Sequence, residues 1–288
     1  MLPRALLLNL LFAANSASAQ APVGAPWDSI GKILRTTGTL TGGYHRYGWP
    51  RRDLTLRIGD VTVAPALALG AWAGFSGEPA SSTMMGDLVL TGDELKPVLI
   101  ELANQRIAVT AIHNHVVGEP QITYVHFHAD GDAVDLATRL DRVLARTKTP
   151  RPVSPPPPPP VTTDTARIFG TLGLRGRAQG NIVQVSSVLV PGQVMLHGRP
   201  VNPAMAYGTP INIQVLEQDR AVATGDFTIT AGKVAPVINA LTANGITATA
   251  LHSHLIGEQP TLYYMHFWAD GQLNDVLRGL RAALDAAR

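Results

Sequence analysis

The chain has 288 residues, 45% of them apolar, no cysteine and a formal net charge of +2. That length and apolar content are enough for two domains with their own cores and exclude disorder of the whole chain. The lack of cysteine excludes disulfides, thiolate metal sites, a catalytic thiol and an acyl-cysteine anchor. Nearly balanced charge without a basic run leaves no footprint for a nucleic-acid or anionic-membrane partner.

Residues 1–19 read as an export signal. Arg4 supplies the positive end, Ala5–Ala14 a short apolar run, and Ala17-Ser18-Ala19 a small-residue cleavage pattern. The apolar run is shorter than the roughly 20 residues a hydrocarbon layer demands, and no later stretch reaches that length. The expectation is a periplasmic or secreted protein without a membrane span.

A first repeat is expected over residues 27–146. "GTL" at Gly38 opens it, and "PALAL" follows at Pro65. His45, Arg51, Arg52 and Asp53 have no counterpart later in the chain and read as surface or loop residues. Gly86-Asp87 precedes "LVL", a short strand, so Asp87 reads as a turn cap. Leu95, Val98, Leu99 and Leu102 then recur at helical spacing. Pro97 places the helix start near Asp93, because a proline is tolerated in the first turn, where its missing N–H has no helical partner anyway. Ile107, Val109, Ala111, His113 and His115 alternate and predict a strand with both histidines on one face. A Gly-Glu-Pro loop, a second strand and a closing helix through Leu136, Ala137, Leu140, Val143 and Leu144 complete the repeat.

Residues 147–164 form a proline-rich linker. The prolines of "TPRPVSPPPPPP", from Thr149 to Pro160, lack amide donors and fix φ, which predicts a stiff polyproline II spacer.

A second repeat follows over residues 165–287. "GTL" recurs at Gly170 and "PAMAY" at Pro203, and Gly86–His115 aligns without a gap on Gly225–His254, sharing the Gly-Asp opening, a proline and both histidines. Asp226 again reads as a cap. Val234, Val237, Ile238 and Leu241 predict the first helix, starting near Gly232. Val276, Leu277, Leu280 and Leu284 predict the last. Each repeat is therefore expected to be α+β, a mainly antiparallel sheet with two helices on one face. The order is a ferredoxin-like strand-helix-strand-strand-helix half with extra N-terminal strands.

The histidine phrases "AIHNHVVGEPQITYVHFHADG" and "ALHSHLIGEQPTLYYMHFWADG" carry the candidate chemistry. If Val116 pairs with Gln121, His113 faces Tyr124 and His126 lies diagonally on the same side, within about 7–8 Å. The one-residue insertion near Gln259 lengthens the loop and preserves the arrangement for His252, His254, Tyr264 and His266. Neutral imidazole suits zinc, copper, nickel and iron. Three histidines with Glu119 in one repeat, or Glu258 in the other, would have the composition of an open zinc or non-haem iron site. Tyr124, Tyr264 and His128 are expected as supporting neighbours; Trp268 replaces His128 in the second repeat.

The spacing His-x-His-x3-Glu resembles the first metal motif of cupins, barrels that lack long helices between their motif strands. The helices flanking the phrase here favour the α+β reading. "APALALGAWAGF" at Ala64–Phe75 and "MGDLVLTGDELKPVL", continuing to "VTAIHNHVVGEP", resemble the LppY/LpqO family of exported bacterial proteins built on a domain of unknown function, with frequent tandem copies. The resemblance implies export and duplication but no reaction. It also places the recurrent histidine phrase on His113, His115 and His126 and on His252, His254 and His266.

The expected function is binding of a transition metal or small ligand through paired histidine clusters. Two alternatives stand beside it. One is a metal-dependent hydrolase or oxygenase using Glu119 or Glu258 as ligand or base. The other is an envelope protein whose histidines only pack. No nucleophile elbow, phosphate loop, dinucleotide fingerprint or His-Glu-x-x-His helix is present.

Overall fold

The computed structural model describes residues 26–151 and 157–288. The export-signal expectation falls on residues 1–19, and the middle of the proline run on 152–156; both lie outside the described residues.

In the first half, α1 (Trp27–Leu34) leads into a sheet of β1 (Thr39–Thr41), β2 (Tyr44–Pro50), β3 (Gly70–Glu78), β4 (Ser81–Thr91), β5 (Ala108–His113) and β6 (Ile122–Gly131). Helix α2 (Gly92–Asn104) joins β4 to β5, and α3 (Ala133–Leu144) follows β6. The strands are antiparallel in the order β1-β2-β3-β4-β6-β5. The second half repeats this plan with α4 (Thr165–Leu172), β7 (Gly176–Gln179), β8 (Ile182–Ser187), β9 (Thr209–Val215), β10 (Arg220–Thr230), α5 (Ala231–Ala243), β11 (Thr247–His252), β12 (Leu262–Gln272) and α6 (Leu273–Ala287). Its sheet order is β7-β8-β9-β10-β12-β11. The fold class is α+β in two tandem copies, as the alternating and helical periods imply. No helix among the described residues is long and apolar enough to cross a membrane.

The central strands are buried on both faces, and the two faces do different work. Leu88, Leu90, Val125 and Phe127 share a core with Val98 and Leu102 of α2 and with Leu136, Leu140 and Val143 of α3. Phe227, Ile229, Met265 and Phe267 do the same with Val237, Leu241, Leu277 and Leu280. The opposite faces of the two sheets meet each other. Tyr44 and Met85 of the first half join Leu196, Met205, Tyr207, Leu262 and Tyr264 of the second in one shared cluster, and Ile182 and Val222 pack into the first core.

Polar contacts lock this interface. The amide of Gln184 donates to the Ala66 carbonyl at 3.0 Å and that of Asn212 to the Leu67 carbonyl at 2.8 Å. Gln214 accepts from the Ala64 amide and donates to the Thr62 carbonyl. Arg220 reaches Asp60 at 2.6 Å while also pairing with Asp270. The edge strands β5 and β11 touch through Thr249 Oγ1, which donates to the His115 carbonyl at 2.6 Å, and Ser253 Oγ, which donates to the Thr110 carbonyl at 2.9 Å. At the far end of the proline run, the Pro159 carbonyl accepts from the Gly180 amide and the Thr162 amide donates to the Gly180 carbonyl, fastening that end to the second half.

Three local expectations change. Gly86-Asp87 and Gly225-Asp226 do not open their strands, because β4 begins at Ser81 and β10 at Arg220. The pairs sit mid-strand, with Asp87 2% and Asp226 3% exposed, so neither caps a turn. The glycine answers close packing: a Cβ on Gly86 would lie 2.3 Å from the Trp72 carbonyl and 2.4 Å from the Phe127 ring, and one on Gly225 2.2 Å from the Pro210 carbonyl. Pro97 and Pro236 fall inside α2 and α5 rather than in their first turns.

The third change concerns Arg51, which is fully buried instead of lying on a loop surface. Its guanidinium donates to the Val89 carbonyl at 2.6 Å, to Glu94 at 2.8 Å and to Asp53 at 2.8 Å. Glu94 in turn accepts the Thr91 amide at 2.8 Å in a capping box and the Lys148 amide at 2.6 Å. One carboxylate thus neutralises a buried cation, starts α2 and fixes the end of the first half. Glu94→Ala should therefore cost about 3 kcal/mol or more, because it strands part of a buried charge and removes a helix cap together. Chemical denaturation of the full chain measures this; a loss under about 1 kcal/mol would show that Asp53 alone satisfies Arg51.

Candidate metal centre

Strand pleating delivers the histidines. On the first sheet His113 lies opposite Tyr124, and Ala111 opposite His126, across a bulge between Val109 and Ala111. On the other side of β6, His126 lies opposite Asp87. The second sheet repeats every pairing: His252 with Tyr264, Ala250 with His266, and His266 with Asp226. Parity therefore puts His113, His126 and Asp87 on one face, and His252, His266 and Asp226 on its equivalent. Those are the faces that meet between the sheets.

The two trios consequently form one cluster. His113 and His252 stack with ring centroids 3.7 Å apart, and His113 Nε2 lies 3.2 Å from His266 Nε2. Around this stacked couple runs a closed circuit of side chains. Asp87 Oδ2 is 3.2 Å from His115 Nε2, the His115 ring is 3.9 Å from that of His266, and His266 Nε2 is 3.9 Å from Asp226 Oδ2. Asp226 Oδ2 is 3.0 Å from His254 Nε2, the His254 ring is 3.9 Å from that of His126, and His126 Nε2 is 3.9 Å from Asp87 Oδ2. Exchanging each residue for its repeat counterpart maps the circuit onto itself. Among the described residues, four groupings have ligand atoms within 4.8 Å of one another: Asp226, His252, His254 and His266; Asp87, His115 and His126; His113, His115 and His266; and His113, His126 and His252.

Four of the six rings are tied to backbone through one nitrogen. His266 Nδ1 donates to the Gly225 carbonyl at 2.7 Å and His252 Nδ1 to the Ser253 carbonyl at 3.0 Å. His126 and His254 are likewise bonded to the backbone of Gly86 and Ala206. Holding one nitrogen as a donor to a carbonyl fixes the tautomer and aims the other lone pair inward, the arrangement typical of metal-ligating histidines. Tyr124 stacks on His115 at 3.5 Å and Tyr264 on His254 at 3.7 Å. Their hydroxyls point away, donating to the carbonyls of Ala68 and Ala206 at the ends of the one-turn helices Pro65–Ala68 and Pro203–Ala206. The tyrosines support the cluster through their ring faces.

Burial disfavours charge on the six rings. Burial, with neighbouring imidazoles adding to it, holds His113, His115, His126 and His254 well below the usual histidine range. Burial also lowers His252 and pushes His266 down to about 4. Asp87 is raised well above the usual carboxylate range, first by burial and then by the charge of Asp226. Seven side-chain atoms of the cluster are buried without a hydrogen-bond partner: Oδ1 of Asp87 and of Asp226, Nδ1 of His113, and Nε2 of His115, His126, His252 and His254.

The remaining sequence candidates lie elsewhere. Glu119 is exposed, and its backbone bridges to that of Arg57. Glu258 is 4% exposed, pairs in a short ladder with Leu196 and accepts the Leu262 amide at 2.9 Å. His128 sits farther along β6, 3.5 Å from Asp130. The fold brings none of the three into the cluster, while it brings in Asp87 and Asp226. The signal that could have found these aspartates is the Gly-Asp pair recurring at the repeat offset in front of an apolar strand.

Beside the cluster is an open cleft of about 410 Å³ lined by Leu251, His252, Ser253, Leu255, Ile256 and Glu258, among others. His252 is common to the cleft and the cluster.

Residues 28–146 and 166–286 each match the family described as Domain of Unknown Function (DUF1259). The chain belongs to that family. No curated protein matches it. Among solved structures, the DUF1259 chain is similar to the trimeric bacterial microcompartment shell protein PduB at 10% identity, covering 85% of this chain and 87% of that one with a TM-score of 0.21. It is similar to EtuB from Clostridium kluyveri at 12% identity, covering 87% and 89% with a TM-score of 0.21. It is similar to TP0453 at 11% identity, covering 87% and 96% with a TM-score of 0.19. Superposition that loose carries nothing about this DUF1259 chain's role.

The histidine shifts fix a pH response for the metal-depleted protein. All six rings of the cluster are lowered in the fold, so on acidification the unfolded chain takes up protons first, from about pH 6.5, while the folded cluster resists. Stability present above that value is lost as pH falls, over a window reaching down to about 4 for His266. Asp87, being raised, has the opposite sign, but it is one group against six. Thermal unfolding of chelator-treated protein should thus shift to lower temperature by several degrees between about pH 7 and about pH 5. A flat profile would mean that the rings are not held neutral.

Proposed function

We propose that this DUF1259 protein is an exported two-domain protein that binds a divalent transition metal in the buried cluster between its halves. The observation that carries the reading is the group of seven unpartnered ring and carboxylate atoms packed among eight facing side chains. Each such atom, buried and unsatisfied, costs roughly 1–3 kcal/mol. His126, His252 and His254 each spend one nitrogen on the backbone and aim the other lone pair inward, where no donor meets it. A cation accepts several at once.

Ligand spacing supports a metal over a small organic ligand. Metal–nitrogen bonds of 2.0–2.1 Å at tetrahedral angles give ligand–ligand edges of about 3.3 Å. The closest approaches in the cluster are 3.0, 3.2 and 3.2 Å. Imidazole-rich, sulfur-free donors with a minority of carboxylate suit zinc, copper, nickel or iron and disfavour calcium and magnesium. Export rests on the signal-like residues 1–19, and assignment to the LppY/LpqO group on the phrases Ala64–Phe75 and Met85–Pro120.

The second reading is a metal-dependent hydrolase or oxygenase, favoured by the cleft that shares His252 with the cluster and is lined by Glu258. An enzyme of this kind would bring substrate along the cleft to the cluster, where a metal held by His252 and its neighbours would supply Lewis acidity and Glu258 would serve as base. Glu258→Gln separates the readings: turnover would fall by about 100-fold or more in the enzyme, whereas a binder would keep its metal content.

Untagged protein loaded with Zn²⁺ and desalted should retain at least one equivalent by elemental analysis, and its unfolding temperature should rise over the chelated form. At a hundredfold excess over Kd the gain is about 2.7 kcal/mol. His266→Ala, which removes a donor from two of the four groupings, should weaken binding by about tenfold or more. Retention below about a tenth of an equivalent by the unaltered protein would sink the metal reading.

A further inference from the structure

We infer that the cluster holds two divalent transition ions as a close pair, one on each side of the stacked His113–His252 couple. The inference rests on the metal-binding reading above and goes further by fixing the stoichiometry and the kind of centre.

The donor count points there. Eight donors line the cluster, six imidazoles and two carboxylates, whereas one transition ion takes four in the common zinc geometry and six at most in an octahedral one. The largest grouping, Asp226 with His252, His254 and His266, uses four of the eight and leaves Asp87, His113, His115 and His126. Three of those, Asp87, His115 and His126, are themselves a grouping within 4.8 Å. A lone ion in the first position would leave Asp87 Oδ1, His113 Nδ1, His115 Nε2 and His126 Nε2 as buried and unpartnered as before.

Symmetry points the same way. The carboxylates stand at opposite ends of the circuit, each beside two imidazoles: Asp87 near His115 and His126, Asp226 near His254 and His266. A site built for one central ion would gather its anionic donors at the centre. Here the centre is the stacked couple, and the anionic donors are separated by it. The two positions are nevertheless joined, because His113 also groups with His266 and His252 also groups with His126. Ions so placed share a wall of imidazoles, and it is those shared rings that make them a close pair.

The test uses the full chain, stripped with chelator and titrated with Zn²⁺ under desalting and elemental analysis. Two equivalents per chain are expected. Asp226→Asn and Asp87→Asn should each lower the plateau from two to one while the circular dichroism spectrum is retained. A plateau at one equivalent in the unaltered protein overturns the pair and leaves the binding reading standing; no retained metal overturns both. Cu²⁺ supplies an independent readout that needs no variant. The first equivalent should give an ordinary paramagnetic resonance signal, and the second should diminish it through coupling between neighbouring ions. A signal that instead doubles would show two isolated ions and overturn the close pair.

Discussion

Six imidazoles and two carboxylates are withdrawn from water between two sheet faces, and the rest of the molecule is arranged around the cost of doing so. Desolvation lowers the proton affinity of every ring and raises that of Asp87. Such a set persists only where surrounding packing holds it. The holding parts are visible: tyrosine faces against His115 and His254, backbone carbonyls against the outward nitrogens, and an apolar cluster drawn from both halves beside the site. The polar contacts of Gln184, Asn212 and Gln214 then prevent the faces from sliding.

Much of this was legible in the sequence, because strand parity is a strong constraint. The length of the loop was sufficient to place His113 opposite Tyr124 and to bring His126 to the same side, but the expected single face for Ile107–His115 held only from Ala111 onward, because the bulge turns Ile107 and Val109 to the helix-side core. The duplicated offset then carried the geometry to His252, His254 and His266. Helices were legible from their buried stripes, although the prolines fell deeper inside them than first-turn chemistry suggests.

Other features were not legible, for definite physical reasons. Nothing in a repeat's own periodicity states which of its faces will meet the other repeat, so two trios expected to stand apart are one cluster. Burial of a carboxylate is not a local property: Asp87 and Asp226 follow a glycine, as turn caps do, and only the strand pairing upstream shows that the glycine makes room for Phe127 and Phe267. The loop glutamates have the residue type and spacing of ligands, yet backbone pairing of Glu119 with Arg57 turns that loop aside, and pairing of Glu258 with Leu196 leaves it in the wall of the cleft rather than in the cluster. Arg51 resembled a loop residue because its partners, Glu94 and the Val89 carbonyl, lie far along the chain.

The exchange of repeat counterparts that maps the donor circuit onto itself has a consequence for a chain containing one copy. Alone, such a copy would expose His113, His115, His126 and Asp87 on a bare sheet face. It could close the same circuit only by meeting a second molecule across a true dyad, each supplying half, in an isologous dimer. Joining the halves in one polypeptide turns that concentration-dependent encounter into an intramolecular one. It also frees the two halves to diverge, as they have at His128 and Trp268.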